Sequence, residues 1–230
     1  MQPNAITVQG EINNALATIL QTSIETMGSG RTDSGVHAKE QVFHIDLHQP
    51  IAEETLLHKM NGILAADIVV NNILPVNNDA HARFNAISRD YEYHIHFKKS
   101  PFCLNEYHYL KQMPDFELMN KACQLIIGKH DFTSFSKAKT EANNLICTLE
   151  RAEWQYEDGR SIFYVTANRF LRGMVRAMVG TLLNVGNGKT SLKEFADILD
   201  TKDRTLAGQS VPPQGLYLCN VRYSTQIFIK

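Results

Sequence analysis

The segment NRFLRGMVRAMVGTLL, starting at Asn168, constrains the fold more than any other part of this 230-residue chain. At 100° per residue, Arg169, Arg172 and Arg176 fall in one narrow arc. Phe170, Leu171, Met174, Val175, Met178, Val179 and Leu182 cover most of the remaining circumference. A helix predicted over Arg169–Val185 with that profile must be largely buried, so other elements have to surround it. Its arginines must emerge at a cleft or meet carboxylates, because an unpaired buried charge is too costly.

The surrounding elements are legible as strands and helices in mixed order. DYEYHIHF, Asp90–Phe97, alternates with period two and predicts a strand. Tyr91 and Tyr93 share one of its faces; His94 and His96 share the other. QVFHIDL, Gln41–Leu47, alternates in the same way, and Ala66–Ile73 is a short apolar run ending near Pro75. Leu145–Tyr156 and Ser161–Ala167 read as strands joined by the turn signal EDGR, with GLYLCNVRY as a last strand after Pro212-Pro213. Helical spacing marks 10–26, 53–64, 116–127 and 192–199. Helices on hairpin-type strands, without sustained βαβ alternation, predict an α+β fold with an antiparallel sheet. The link KKSP at Lys98–Pro101 divides the chain into an N-terminal half, 1–97, and a C-terminal half, 98–230.

Composition removes several classes. With 43% hydrophobic and 20% charged residues, the chain can bury a core and is not disordered, collagen-like or a coiled coil. Cys103, Cys123, Cys147 and Cys219 lie far apart with no CxxC pair, which suggests neither a zinc ribbon nor a disulfide framework. The polar N-terminus lacks signal-peptide order, and no apolar run approaches the ~20 residues that span a bilayer. The expectation is a cytoplasmic protein with no membrane partner. The net charge of −1 gives no global nucleic-acid signature, yet it hides an asymmetry. Residues 1–97 carry a net −6 and residues 98–230 a net +5. From Asp158 to Glu194 no acid interrupts Arg160, Arg169, Arg172, Arg176, Lys189 and Lys193. Such a span is the footprint of a polyanion site, or else a solvated face balanced by acids elsewhere in the fold.

Three further segments can carry chemistry. In GSGRTDSGVHA, Gly28–Ala38, the glycines allow close approach to the main chain, and Arg31 sits two residues from Asp33. A neighbouring guanidinium favours the ionised carboxylate, leaving Asp33 available as a base or nucleophile; the plain alternative is a solvent turn. The P-loop order is missing. Arg83 and Arg89 flank the turn into the strand bearing Tyr91 and Tyr93, a combination suited to base stacking or to simple packing. HDFTSFSKAK ends in Lys137 and Lys139, which suit phosphate and ribose contacts. His94 and His96 have no third ligand at a matching interval, so no metal site is expected.

Together GRTDSGVHAKEQV, HARFNAISRDYEYHI, HDFTSFSK, FLRGMVRAMVGTLLNVGNGK and GLYL, with QPNAITVQGEI ahead of them, resemble the tRNA pseudouridine synthase A family across essentially the whole chain. The resemblance implies a cofactor-free isomerase that converts uridine to pseudouridine at positions 38 to 40 of the tRNA anticodon stem-loop. It implies two pseudo-symmetric, RNA-recognition-like halves sharing a continuous antiparallel sheet, and a homodimer with tRNA lying across both subunits. It makes Asp33 the catalytic carboxylate and Tyr91 the ring stacked on the target base, placed to assist its deprotonation. It makes Arg176 the partner of Asp33 and puts Leu216 in the uracil pocket. Arg31 joins the substrate contacts, and Arg169, Arg172, Lys137, Lys139 and Arg83 the RNA contacts. Ser34, Gly173 and Ala177 depart from the usual family residues. Family members also begin with a strand and a glycine- and tryptophan-containing turn ahead of the segment that here starts at Gln2-Pro3-Asn4. A late start of the reading frame is the expectation; the alternative is a truncated tRNA-binding protein of the same fold that has lost turnover.

Overall fold

A computed structural model describes residues 6–47, 49–137 and 144–229. Along the chain come α1 (Val8–Leu20), β1 (Met27–Gly28), β2 (His37–Ala38), β3 (Phe43–His44), α2 (Glu53–Ile63), β4 (Ser88–His96), β5 (His108–Tyr109), α3 (Phe116–Gln124) and β6 (Gly128–Asp131). Then follow β7 (Ile146–Glu157), β8 (Arg160–Ala167), α4 (Met174–Gly186), α5 (Leu192–Thr201) and β9 (Leu216–Arg222). Helices and a mostly antiparallel sheet make the α+β class. The residues form two compact units that are discontinuous in sequence: Met1–Arg31, Val42–Ala86 and Tyr223–Lys230 make one, Thr32–Gln41 and Ile87–Arg222 the other. This spatial partition differs from a division at 97/98, since β2 and β4 sit in the second unit's sheet.

In the first unit, Thr7 Oγ1 accepts from Gly10 N and starts α1, an N-cap that satisfies an otherwise orphaned donor. The helix predicted to Thr26 stops at Leu20, because Gln21 turns left-handed at φ 54° and Asn13 captures Thr26 through both its N–H and its hydroxyl. Ile12 and Leu16 of α1 pack with Leu56 and Met60 of α2 and with Val70. Two predicted strands are corrected here. Gln41–Leu47 contributes only Phe43–His44, because its partner β1 is itself two residues long. Ala66–Ile73 forms no strand. The Asn61 amide clasps Val70 on both sides, donating to its carbonyl and accepting from its N–H at 2.8 Å each, and so uses the groups a ladder would need.

In the second unit one sheet runs β2-β9-β4-β8-β7-β6, with β5 alongside β4. The sheet departs from pure antiparallel order at two short pairings, β2 with β9 and β4 with β5, which are parallel. The β7–β8 turn places Asp158 and Gly159 at φ 49° and 75°, matching the hairpin read from EDGR. Tyr93, Ile95, Phe163 and Val165 point into a core closed by Met174, Met178 and Leu182 of α4, Met119 of α3 and Phe195 of α5. On the open edge of β7, Asn120 donates to Trp154 O and accepts from Trp154 N, occupying edge groups that would otherwise invite another chain.

The most constraining segment is shorter than its periodicity predicts. Gly173 sits at φ 72°, a backbone conformation costly for any other residue, and α4 starts only after it. Arg169 and Arg172 therefore precede the helix and do not share a helical arc with Arg176. The apolar residues keep their burial all the same, since Leu171, Met174, Val175, Met178, Val179 and Leu182 all belong to the core.

Candidate active site

The site begins with a turn. Val36 N donates to Asp33 O at 3.1 Å, and Gly35 supplies φ 79° where a Cβ would come within 3.0 Å of Pro213 Cγ. The chain then enters β2, whose register pairs His37 with Tyr217 and Ala38 with Leu218, and Lys39 N donates to Leu218 O. Asp33 is thereby delivered to Arg176, the third residue of α4. Arg176 Nη1 donates to Asp33 Oδ2 at 3.0 Å across 143 positions of sequence. The guanidinium is anchored at its other end, where Nε donates to Val211 O at 2.7 Å, and the main chains meet through Val211 N to Arg176 O. The two side chains keep 21% and 32% of their surface exposed, so the pair lies at an opening that a substrate can reach. Oδ1 of Asp33 accepts no hydrogen bond among the described residues.

The Val211 loop is fixed to α4 by backbone contact. A Cβ on Gly180 would lie 1.9 Å from Gln209 O, and one on Gly208 would lie 2.7 Å from Gly180 C. Thr181 Oγ1 accepts from Gly208 N and donates to Ala177 O, while Arg204 holds the carbonyls of Ala207 and Gly208 and the hydroxyl of Ser210. Tyr93 OH donates to Pro212 O. None of these supports is visible as a motif. A glycine inside an otherwise strong helical pattern, Gly180, was the available signal.

Tyr91 projects from β4 on the same face as Tyr93, and its ring meets Phe170 edge-on at 5.1 Å. Burial pushes its hydroxyl up to about 12; Arg89 opposes the rise and the charge of Asp33 adds to it. In the free protein the residue is therefore a neutral phenol at pH 7, a flat apolar face beside a carboxylate. Leu216 opens β9 opposite Tyr93, buried, two residues from Leu218, which pairs with Tyr91. Arg89 Nη1 donates to Asn168 O and Asn168 Oδ1 accepts from Thr148 N, pinning the segment that leads into Arg169 and Phe170.

The second unit thus holds Asp33 on Arg176 with Tyr91 within reach of the Asp33 charge, while Leu216 sits in the core at the start of β9, in register with Tyr93. Lys137 N donates to Arg172 O, so two exposed basic residues are joined through their main chains, and Arg169 is half-buried. Arg31 and Arg83 are exposed in the first unit. The cation that contacts Asp33 is Arg176, the residue the resemblance pairs with it, whereas spacing alone offers Arg31 two positions away. Lys139 lies outside the described residues. His94 and His96 are tied into the fold: His94 Nε2 donates to Glu92 and His96 stacks on Tyr107. Among the described residues no group of three His, Cys, Asp or Glu is placed to hold a metal ion, and no helix is long and apolar enough to cross a membrane.

Residues 122–224 match the family described as tRNA pseudouridine synthase. The chain is 44% identical over 229 residues to the tRNA pseudouridine synthase A of Parabacteroides distasonis, covering 99% of this chain and 91% of that protein. It is 44% identical over 236 residues to the same-named protein of Porphyromonas gingivalis and 39% identical over 229 residues to that of Bacillus subtilis, each covered to 92%. The chain belongs to the tRNA pseudouridine synthase A family. The segment matched by the family pattern holds Lys137, Arg169, Arg172, Arg176 and Leu216. Asp33 and Tyr91 lie outside it but within the span shared with these full-length synthases. Family membership thus covers both partners of the Asp33–Arg176 contact.

Proposed function

We propose that this isomerase of the pseudouridine synthase family, whose relatives are tRNA pseudouridine synthases, converts uridine to pseudouridine at positions 38 to 40 of the tRNA anticodon stem-loop, with Asp33 as the catalytic carboxylate and without a cofactor. The observation that carries this reading is the contact between Asp33 and Arg176, both partly exposed, with Tyr91 near enough to feel the charge of Asp33. The reaction must break the N1–C1′ bond, rotate the uracil and rejoin it through C5. It needs one carboxylate at the ribose, acting as a nucleophile at C1′ or as a base on a ribose proton. Arg176 occupies Oδ2 and leaves Oδ1 to face the sugar. Tyr91 offers its ring to the displaced base. As a phenol with its hydroxyl at about 12, it becomes a base for the C5 proton only if the bound nucleotide changes its surroundings. The target leaves its stack at a cost of a few kcal/mol. Lys137, Arg172 and Arg169, with Arg31 and Arg83, offset that cost on the phosphates. On the same reading the protein works in the cytoplasm as a homodimer, each protomer made of the halves 1–97 and 98–230.

The test is pseudouridine mapping of tRNA incubated with the wild-type chain and with Asp33→Asn. Wild-type protein is expected to release tritium from C5-labelled uridine at those positions. Asp33→Asn is expected to lose turnover while tRNA affinity stays within about threefold, since a neutral isostere leaves the phosphate contacts intact. Clear turnover by Asp33→Asn defeats the assignment. Retained binding with no modification by wild-type protein favours a pure tRNA-binding role.

A further inference from the structure

The loop that carries Asp33 runs into β2, and β2 is two residues long, far below a strand that holds itself by its ladder. What secures it lies on the sheet face turned away from the core. His37 stacks on the ring of Tyr217, with centroids 4.6 Å apart and planes 16° apart, and its Nε2–H donates to Asn105 O at 2.7 Å. Tyr217 is gripped on two further sides: its ring lies 4.5 Å from that of His94, and its hydroxyl donates to Glu106 O at 2.7 Å. Two residues after His37, Lys39 Nζ donates to Glu92, which also accepts from His94.

Asn105 and Glu106 form the tip of a strap, residues 100–107, that is anchored independently. Tyr107 is 5% exposed and stacks on His96 at 3.9 Å, its hydroxyl accepts from Ser100 N, and the following β5 pairs with β4. Two successive strap carbonyls therefore end on the two stacked rings that flank the root of the Asp33 loop. From His37 the constraint reaches Asp33 through a short path, since the turn closed by Val36 N and Asp33 O leaves Gly35 against Pro213 with no slack.

We propose that His37 is a positioning residue for the reaction, clamped by the strap through Asn105 O and Tyr217 so that the Asp33 carboxylate keeps its place on Arg176. The proposal rests on the reading of Asp33 as the catalytic group. Releasing the clamp leaves the basic RNA contacts untouched but lets the carboxylate wander, and a displacement of about 1 Å from productive geometry costs about 10²-fold in rate. His37 thus acts on kcat rather than on tRNA affinity.

The experiment uses the full chain with His37→Ala, His37→Gln, Tyr217→Phe and Asp33→Asn, measured by tritium release under steady state and by amide hydrogen exchange. His37→Ala is expected to lower kcat by about tenfold or more, with KM for tRNA within about twofold. It is also expected to speed exchange at Val36 N and Lys39 N. His37→Gln keeps a donor for Asn105 O and is expected to recover much of the loss. Tyr217→Phe removes only the bond to Glu106 and tests the strap if His37→Ala does not fold. Unchanged exchange and unchanged kcat in both His37→Ala and Tyr217→Phe overturn the clamp, as does a loss of thermal stability without a split between kcat and KM. Activity in Asp33→Asn overturns the catalytic reading itself. An inactive Asp33→Asn beside a fully active His37→Ala overturns only the positioning role.

Discussion

Replacing Gly180 by alanine tests how Arg176 is aimed. The added Cβ meets Gln209 O at 1.9 Å and Gln209 C at 3.0 Å, both main-chain atoms that no rotamer change can move away. An ordinary carbon–oxygen contact is ~3.3 Å or more, so helix and loop must separate by about 1.4 Å. That movement stretches the 2.7 Å bond from Arg176 Nε to Val211 O and the 2.8 Å bond from Gly208 N to Thr181 Oγ1 beyond hydrogen-bond range. Overpacking costs about 1–3 kcal/mol and each of the two polar groups left unpaired about 1–3 kcal/mol, so the expected loss is at least about 3 kcal/mol. Against the ~5–15 kcal/mol of a typical domain, the variant still folds but unfolds at a lower denaturant concentration. Because the loop carries the anchor of Arg176, turnover should fall by about ten- to a hundredfold at unchanged tRNA affinity. Urea unfolding and single-turnover tritium release measure the two effects. Gly62 of α2 has open space around it, so Gly62→Ala is the control and should be neutral or stabilising by up to ~1 kcal/mol. Wild-type stability and turnover in Gly180→Ala would refute the backbone contact and the role drawn from it.

Other outcomes follow from the same geometry. Arg176→Lys supplies one ammonium where the guanidinium serves both Asp33 and Val211, so kcat should drop at least tenfold while the fold survives; near-normal kcat would show that one contact suffices. Tyr91 binds its proton more tightly in the folded protein, with its hydroxyl at about 12 against 10.0 for a free tyrosine. The stability this contributes is complete below pH ~10 and is lost as pH rises toward 12. Tyr91→Phe should therefore flatten the alkaline unfolding limb between pH 10 and 12, and an unchanged limb would contradict the burial of that hydroxyl. Arg172→Gln, and Lys137→Gln beside it, should each weaken tRNA binding and lower the slope of log K against log salt by about 0.7–0.9 with little effect on single-turnover rate. A slope that does not change would remove these residues from the phosphate contacts.

Most of the secondary structure was legible because local physics decides it. The alternation at 90–97 and in 145–167, the turn at Asp158-Gly159 and the amphipathic stretches of α2, α3 and α5 all appear where patterning put them. The misses share one cause. Gln41–Leu47 and Ala66–Ile73 have strand-like patterns, but a strand exists only where a partner offers its backbone. β1 offered two residues, and Asn61 took the groups of Val70. Arg169–Gly173 continues a helical pattern that Gly173 ends with a left-handed backbone angle. The same break separates Arg172 from Arg176, so three arginines that looked equivalent divide into one that meets Asp33 and two that precede the helix.

The sequence by itself determined the class of the fold, the family, and which residue types carry the chemistry, because periodicity and a run of ordered motifs are properties of neighbouring positions. Spacing alone could not choose the cation that meets Asp33; the resemblance named Arg176, and the tertiary structure makes the contact. Asp33 pairs with Arg176, 143 positions away, in preference to a pairing with Arg31 two positions away. Tertiary structure decided that a carbonyl at Val211, a glycine contact at Gly180 and a ring at Tyr217 support the site. These are backbone and packing relations between segments remote in sequence, and no residue in them has an identity that announces the partner it finds.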